Sequence, residues 1–247
     1  MTRKRADLLL VERGFFESRA RAQAAIQAGL VTADGRVVRK ASEAVEADAA
    51  IEAQAPHPWV SRGGVKLEAA LDAFRLDPTG RTCLDVGAST GGFTQVLLAR
   101  GAARVIAVDV GRDQLHASLR ADPRVLSLEG TDARSLDLGA LPGPVTLLVA
   151  DVSFVSATIA LAPVLPRMGP GAELVCLVKP QFEAGRAALD KNGIVREESA
   201  RQAACARVET FLVEAGWRIL GLVPSPVAGG DGNLEYLIGA RLEPARD

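Results

Sequence analysis

From residue 63 onward, short β-branched and aliphatic runs recur at 82–86, 105–109, 125–128, 145–151, 174–179, 217–223 and 235–240, with helix-like stretches between most of the earlier ones. Alternation of this kind requires parallel strands, because a parallel neighbour is reached only by a crossover long enough to hold a helix. The last two runs break the rule. They are joined by a Pro/Gly-rich stretch, 224–233, with no room for such a helix, so they are expected to be antiparallel neighbours. The expected domain is α/β, with seven strands and an antiparallel last strand. Its most apolar stretch, 141–166, is interrupted by Asp151 and by Pro142, Pro144, Pro163 and Pro166, leaving nothing near the ~18 apolar residues of a spanning helix. At the N-terminus, Glu12 and Arg13 end the apolar patch of MTRKRADLLLVERG too early for a signal sequence. The expectation is a cytoplasmic protein without stable membrane association.

At 247 residues the chain exceeds one ~150-residue unit. Charge shows where the surplus lies. The whole chain carries −1, yet residues 1–40 hold nine basic against four acidic side chains, and the next sixteen residues carry only Glu43, Glu46, Asp48 and Glu52. In the basic part, Leu8, Leu9, Val11 and Phe15 fit one helical face, stopped by Gly14. Ser18 fits an N-cap for a second helix over 19–28, with Ala22, Ala25 and Ile26 inside and Gly29 as its stop. Residues 31–33 and 36–38 flank Asp34-Gly35, the signature of a type I′ hairpin. Charge alone would equally describe a solvated helical hairpin. The order of elements resembles the S4 RNA-binding fold, which implies RNA-phosphate contacts from Arg3, Lys4, Arg5, Arg19, Arg21, Arg36, Arg39 and Lys40, with Arg62 added beyond the linker. Pro56-His57-Pro58 punctuates the chain. We therefore expect an S4-like domain at 1–56, a linker at 57–62 and the α/β domain at 63–247.

The first α/β run leads into Asp85-Val86-Gly87-Ala88-Ser89-Thr90-Gly91-Gly92-Phe93. Glycines there let the backbone turn sharply at the carboxyl end of a strand and approach a ligand, although a Gly-rich turn by itself also merely packs helix on strand. Asp109, ending the next run, is placed to accept from ribose hydroxyls. A dinucleotide site expects G-x-G-x-x-G; position 89 is Ser, and D-x-G-x-x-x-G-G is the form common at S-adenosylmethionine (SAM) sites. The expected cofactor set is Asp85, Gly87, Ala88, Ser89, Gly91, Gly92, Phe93, Asp109, Asp151 and Asp132, the last at the adenine end. SAM rather than a nicotinamide favours the class I methyltransferase form of the Rossmann-like arrangement.

Four charged residues sit at element ends: Lys66 after the linker, Asp151 after the fourth run, Lys179 after Leu-Val-Cys-Leu-Val, and Glu235 opening the last run. An isolated ammonium beside such an apolar strand is costly, and Asp151 and Glu235 would offset it. Each alone reads as a strand-end charge. Together they match the Lys-Asp-Lys-Glu tetrad of ribose 2′-O-methyltransferases of the FtsJ/RrmJ type. With the blocks SRGGVKL, DVGASTGGFT, ADVSF, LVKPQFE and GNLEY, the whole chain resembles the TlyA family of ribosomal RNA (cytidine-2′-O)-methyltransferases, some members of which are called haemolysins.

The resemblance implies a catalytic tetrad of Lys66, Asp151, Lys179 and Glu235, and transfer to 23S rRNA, with 16S rRNA as a second substrate of longer members. Lys179 would contact the 2′-oxygen as base or as stabiliser of the alkoxide, Asp151 would orient it, and Lys66 and Glu235 would hold the nucleotide. Two departures stand out: family members often carry Arg-x-Trp-Val where this chain has His57-Pro58-Trp59-Val60, and little follows the last run, which points to 23S rRNA alone. Phe154, Phe182 and Tyr236 flank the tetrad as stacking or core residues. Aromatics are only 4% of the chain, so recognition should lean on phosphate and shape. Cys83, Cys176 and Cys205 form no framework or knuckle, His57 and His116 have no ligand spacing, and no metal is expected. A non-catalytic assembly factor and a membrane-active protein are the competing readings.

Overall fold

The computed structural model describes residues 2–141, 143–229 and 232–243. The chain divides into two compact units between Pro58 and Trp59, inside the segment expected as linker.

The first unit runs β1 (Arg3–Arg5), α1 (Ala6–Glu12), α2 (Arg19–Gln27), β2 (Val31–Ala33), β3 (Arg36–Val37), β4 (Ala44–Glu46) and β5 (Ile51–Ala53). Ser18 caps α2 by accepting from the Arg21 N–H, and Asp34 and Gly35 both take positive φ (50° and 73°), as a type I′ turn requires. The inward face of α1 differs from the expected one: Ala6, Leu9 and Leu10 are buried, whereas Leu8 and Phe15 are exposed. Phe16, one residue on, fills the core with Ala22, Ala25, Ile26, Val31 and Val45. The acidic stretch after residue 40 is more than an edge. It supplies β4, antiparallel to β1 with Glu46 opposite Arg3, and β5, which pairs with β2. Strands of three residues are too short to show a period of two.

The second unit holds α3 (Arg62–Phe74), β6 (Thr82–Val86), α4 (Gly92–Ala99), β7 (Arg104–Asp109), α5 (Ala117–Arg120), β8 (Val125–Glu129), β9 (Leu147–Ala150), α6 (Ala157–Leu161), β10 (Glu173–Val178), α7 (Pro180–Glu183), α8 (Glu198–Glu214), β11 (Trp217–Pro224) and β12 (Tyr236–Leu242). The seven strands form one sheet in the order β11-β12-β10-β9-β6-β7-β8. All contacts are parallel except those of β12, which lies antiparallel between β10 and β11. Part of the β11–β12 connection, Gly230 and Asp231, lies outside the described residues, as does the end of the expected domain at 244–247.

Alternating side chains feed two cores. Leu147, Val149, Val175 and Leu177 meet Leu67, Leu71, Val96 and Leu97 of α3 and α4 on one face. On the other, Leu148, Leu174 and Cys176 meet Val208 and Leu212 of α8. Strands buried on both faces need this unbroken aliphatic composition. Because β7 and β8 step away from β6 on one side and β9 and β10 on the other, the order reverses between β6 and β9, and a crevice opens there at the carboxyl ends.

Candidate active site

The loop after β6 lies at that crevice. Gly87 has φ +84°, and a Cβ there would stand 2.5 Å from the main-chain oxygen of Asp151. Asp151 N–H donates to Val86 O (3.0 Å), which holds the end of β9 against that of β6, while Gly87 N–H donates to Val108 O (2.9 Å) of β7 on the other side. A cavity of about 610 Å³ opens alongside, lined by Gly87, Ser89, Asp109, Asp132, Asp151, Ser153, Phe154 and Gln114 among others. That volume is in the range of cofactor sites.

Its carboxylates are held from behind. Asp109 accepts from Ser89 N–H (2.8 Å) and Gly111 N–H (2.7 Å), one bond to each oxygen, which leaves lone pairs for a diol. Asp132 accepts from Arg134 N–H (2.9 Å) and pairs with its guanidinium (2.6 Å); the Arg134 bonds hold its carboxyl below the usual range. Five of the expected cofactor residues therefore line the cavity: Gly87, Ser89, Asp109, Asp132 and Asp151. Ala88, Gly91, Gly92 and Phe93 do not; Gly91 and Gly92 shape the entry to α4, and Phe93 packs in the core.

Asp85 is also off the cavity wall. It is fully buried and accepts from Thr94 Oγ1 at 2.7 Å, while its Oδ1 has no hydrogen-bond partner among the described residues. Burial pushes its carboxyl up to about 7, against the opposing Thr94 bond. An orphaned buried oxygen beneath a loop that admits no Cβ, next to a diol-ready carboxylate, is a donor set that fits SAM.

The tetrad resolves into two ion pairs. Lys179, just past β10, lies 2.5 Å from Asp151 Oδ1 and donates to Ser153 Oγ at 2.7 Å. Lys66, on α3 rather than at a strand end, pairs with Glu235. Register brings them to one edge: Val178 lies opposite Tyr236, so the antiparallel ladder continues to Lys179 and Glu235, while Asp151 follows the parallel neighbour β9. Lys66, Lys179 and Glu235 are buried. Ser153 was legible only as part of the ADVSF block; nothing local reveals its bond to Lys179. Phe154 lies at the cavity with φ +64°, is 93% exposed and has its ring 5.5 Å from that of Phe182, whereas Tyr236 packs against the core.

The basic residues expected to meet RNA divide by partner. Arg3 pairs with Glu46 and Lys4 with Glu12, while Arg5 and Arg19 both pair with Asp7. Among the described residues, the head groups of Arg21, Arg36, Arg39 and Lys40 have no acidic partner. Arg62 begins α3, within the second unit, and is exposed.

Fold and cleft define a two-part protein: an S4 domain, matched over residues 4–51, and an FtsJ-like methyltransferase domain, matched over 59–242. The chain is 44% identical over 246 residues to the 16S/23S rRNA (cytidine-2′-O)-methyltransferase TlyA of Mycobacterium tuberculosis, covering 99% of this chain and 92% of that one. A solved hemolysin-named protein from Streptococcus thermophilus superposes with a TM-score of 0.77 at 39% identity, covering 98% and 90% of the two chains. An S-adenosylmethionine-dependent methyltransferase from Listeria monocytogenes, 16% identical, shares the fold alone, with a TM-score of 0.55 over 74% of this chain and 100% of that one. The chain belongs to the TlyA family and is a methyltransferase. No helix among the described residues is long and apolar enough to cross a membrane.

Proposed function

We propose that the protein transfers a methyl group from SAM to the ribose 2′-hydroxyl of a cytidine in ribosomal RNA, 23S rRNA foremost, in the cytoplasm. The observation that carries this reading is the Lys179–Asp151 pair at the wall of the cavity, beside the buried Lys66–Glu235 pair at the same sheet edge. Asp109 would hold the cofactor's ribose, Asp132 its adenine end, and the main chain at Gly87 and Ser89 its body. Bound there, SAM supplies an electrophilic methyl group on a sulfonium.

A ribose hydroxyl is a poor nucleophile at neutral pH, so it must be aligned and relieved of its proton. Lysine has three N–H donors; Ser153 accepts one of them, and the Asp151 carboxylate lies against the same ammonium as its ion-pair partner. A position at Nζ remains for the 2′-oxygen: as the neutral amine Lys179 takes the hydroxyl proton onto its lone pair and becomes the ammonium, and as the ammonium it donates an N–H to the developing alkoxide. Asp151 and Ser153 fix the direction of approach; such alignment supplies roughly 7–11 kcal/mol in favourable cases. Lys66 and Glu235 hold the nucleotide, and the exposed ring of Phe154 offers a face for its base. The S4 domain adds affinity for phosphates. Reverse-transcription mapping of 2′-O-methyl sites in cells with and without the gene tests the substrate. Lys179→Ala should retain SAM binding and lose transfer; full transfer by that variant would sink the assignment.

A further inference from the structure

One carboxylate of the S4 domain is fully buried: Asp7, in the first turn of α1. Three side chains converge on it. Arg5 donates from Nε to Oδ1 and from Nη2 to Oδ2, each at 3.1 Å. Arg19 donates from Nη2 at 2.8 Å and Nε at 3.2 Å, and Gln23 from Nε2 at 2.8 Å, all to Oδ2. Four of these five bonds fall on Oδ2 and one on Oδ1, so Oδ2 is the point on which the three side chains converge. The Arg5 bonds first, and those of Arg19 and Gln23 after them, hold its carboxyl far below the usual range, and it stays ionised.

Both arginine side chains are nevertheless about half exposed, 47% for Arg5 and 52% for Arg19. Each guanidinium has five N–H groups and uses only its Nε and one Nη2 hydrogen on Asp7. The Nη1 pair and the second Nη2 hydrogen of both remain for an outside acceptor. The neighbouring pairs Arg3–Glu46 and Lys4–Glu12 lack this arrangement, because their acids are themselves partly exposed. Two guanidiniums ordered around one buried oxygen, with a net charge of +1, form a rigid donor array for a tetrahedral oxyanion.

We infer that Asp7 is a positioning residue that holds Arg5 and Arg19 as a preorganised two-guanidinium site for a backbone phosphate of the RNA substrate. The inference rests on the proposed function and adds how the S4 domain grips. It predicts the opposite of a charge-only account: removing the negative charge of Asp7 should weaken RNA binding, although it makes the domain more basic.

The test uses the full-length protein and a labelled 23S rRNA transcript, with binding followed by filter retention across a salt series. Arg5→Lys and Arg19→Lys keep the charge and lose the fork; each should weaken binding roughly tenfold. Asp7→Asn should weaken it as much or more. The double variant Arg5→Gln/Arg19→Gln should flatten the slope of log affinity against log salt by about 0.7–0.9, the loss of one phosphate contact. Lys40→Gln, whose head group has no acidic partner, should leave the loss in the lysine variants unchanged when combined with them.

Circular dichroism melts check the fold of every variant; if Asp7→Asn does not fold, the two lysine variants decide. Wild-type affinity in the folded lysine variants, or equal or tighter binding by folded Asp7→Asn, overturns the inference. If the wild type binds and methylates the transcript while these variants do the same, the phosphate site alone is wrong. If the wild type neither binds nor methylates rRNA, the functional reading fails and takes the site with it.

Discussion

The Lys66–Glu235 pair offers the sharpest quantitative test. Side-chain exposure is 9% for Lys66 and 3% for Glu235, so the pair is out of reach of solvent screening. Glu235→Gln preserves shape and removes only the charge. In an exposed pair that change is worth about 0.2–1 kcal/mol. In a buried one it leaves an uncompensated ammonium and costs about 3–5 kcal/mol. The structure selects the second range, and we expect about 3 kcal/mol, its lower end, because the Lys66 side chain keeps 9% exposure.

The chain has two tryptophans, Trp59 and Trp217, and both lie in the second unit, so intrinsic fluorescence reports on that domain alone. Urea unfolding should show a midpoint lowered by about 1 M or more with the slope unchanged, as expected when stability rather than denatured-state compactness changes. Removing both charges with Lys66→Met/Glu235→Leu should restore most of the stability, since a buried pair is often no better than apolar residues of similar volume, yet restore no methyl transfer. A loss below 1 kcal/mol for Glu235→Gln would refute the buried-pair reasoning. Methyl transfer by the double variant would refute its part in the chemistry.

Asp85 makes a pH-dependent prediction. Its folded value, about 7, lies above that of an ordinary aspartate, so the stabilisation from the protonated form is full below about pH 4 and is lost as pH rises through 7. Asp85→Asn keeps the Thr94 contact and should remove this decline, at most about 1.4 kcal/mol per pH unit, from melting curves between pH 4 and 7; an identical profile in both proteins would show that Asp85 is not the source. At Gly87, alanine meets both a positive φ and a main-chain oxygen 2.5 Å away. Gly87→Ala should weaken SAM binding at least tenfold by calorimetry, on top of about 1–2 kcal/mol of backbone strain, and wild-type affinity would mean that the strand ends separate freely.

Much of this was readable in linear order. Seven aliphatic runs alternating with helical stretches, and a Pro/Gly connection too short for a crossover, prescribe a parallel sheet with an antiparallel end strand. Each of those features is local and periodic. The glycine loop is local too, and Asp151 and Lys179 stand out as charges that end apolar strands, whereas Lys66, on α3, and Glu235, before β12, join them only through the family resemblance. Less was visible where elements are short: β1, β4 and β5 have three residues each and leave no pattern. The inward face of α1 is undetermined for a related reason, because seven residues offer several apolar stripes and only packing against α2 selects Leu9 and Leu10 over Leu8.

The amino-acid sequence by itself determined the architecture and the position of the glycine loop after the first α/β strand, consequences of periodicity and of glycine's backbone freedom, while Lys66, Asp151, Lys179 and Glu235 stood out as a set only through the family resemblance. Tertiary structure alone decided the partners. Lys179 takes Asp151 and Ser153 while Lys66 takes Glu235; Asp85 turns inward to Thr94 while Asp109 stays at the cavity; and Arg5 and Arg19, two of the basic residues assigned to RNA, are ordered around Asp7. Pairing energies depend on distances between elements far apart in the chain, and those distances exist only once strand register and helix packing are set.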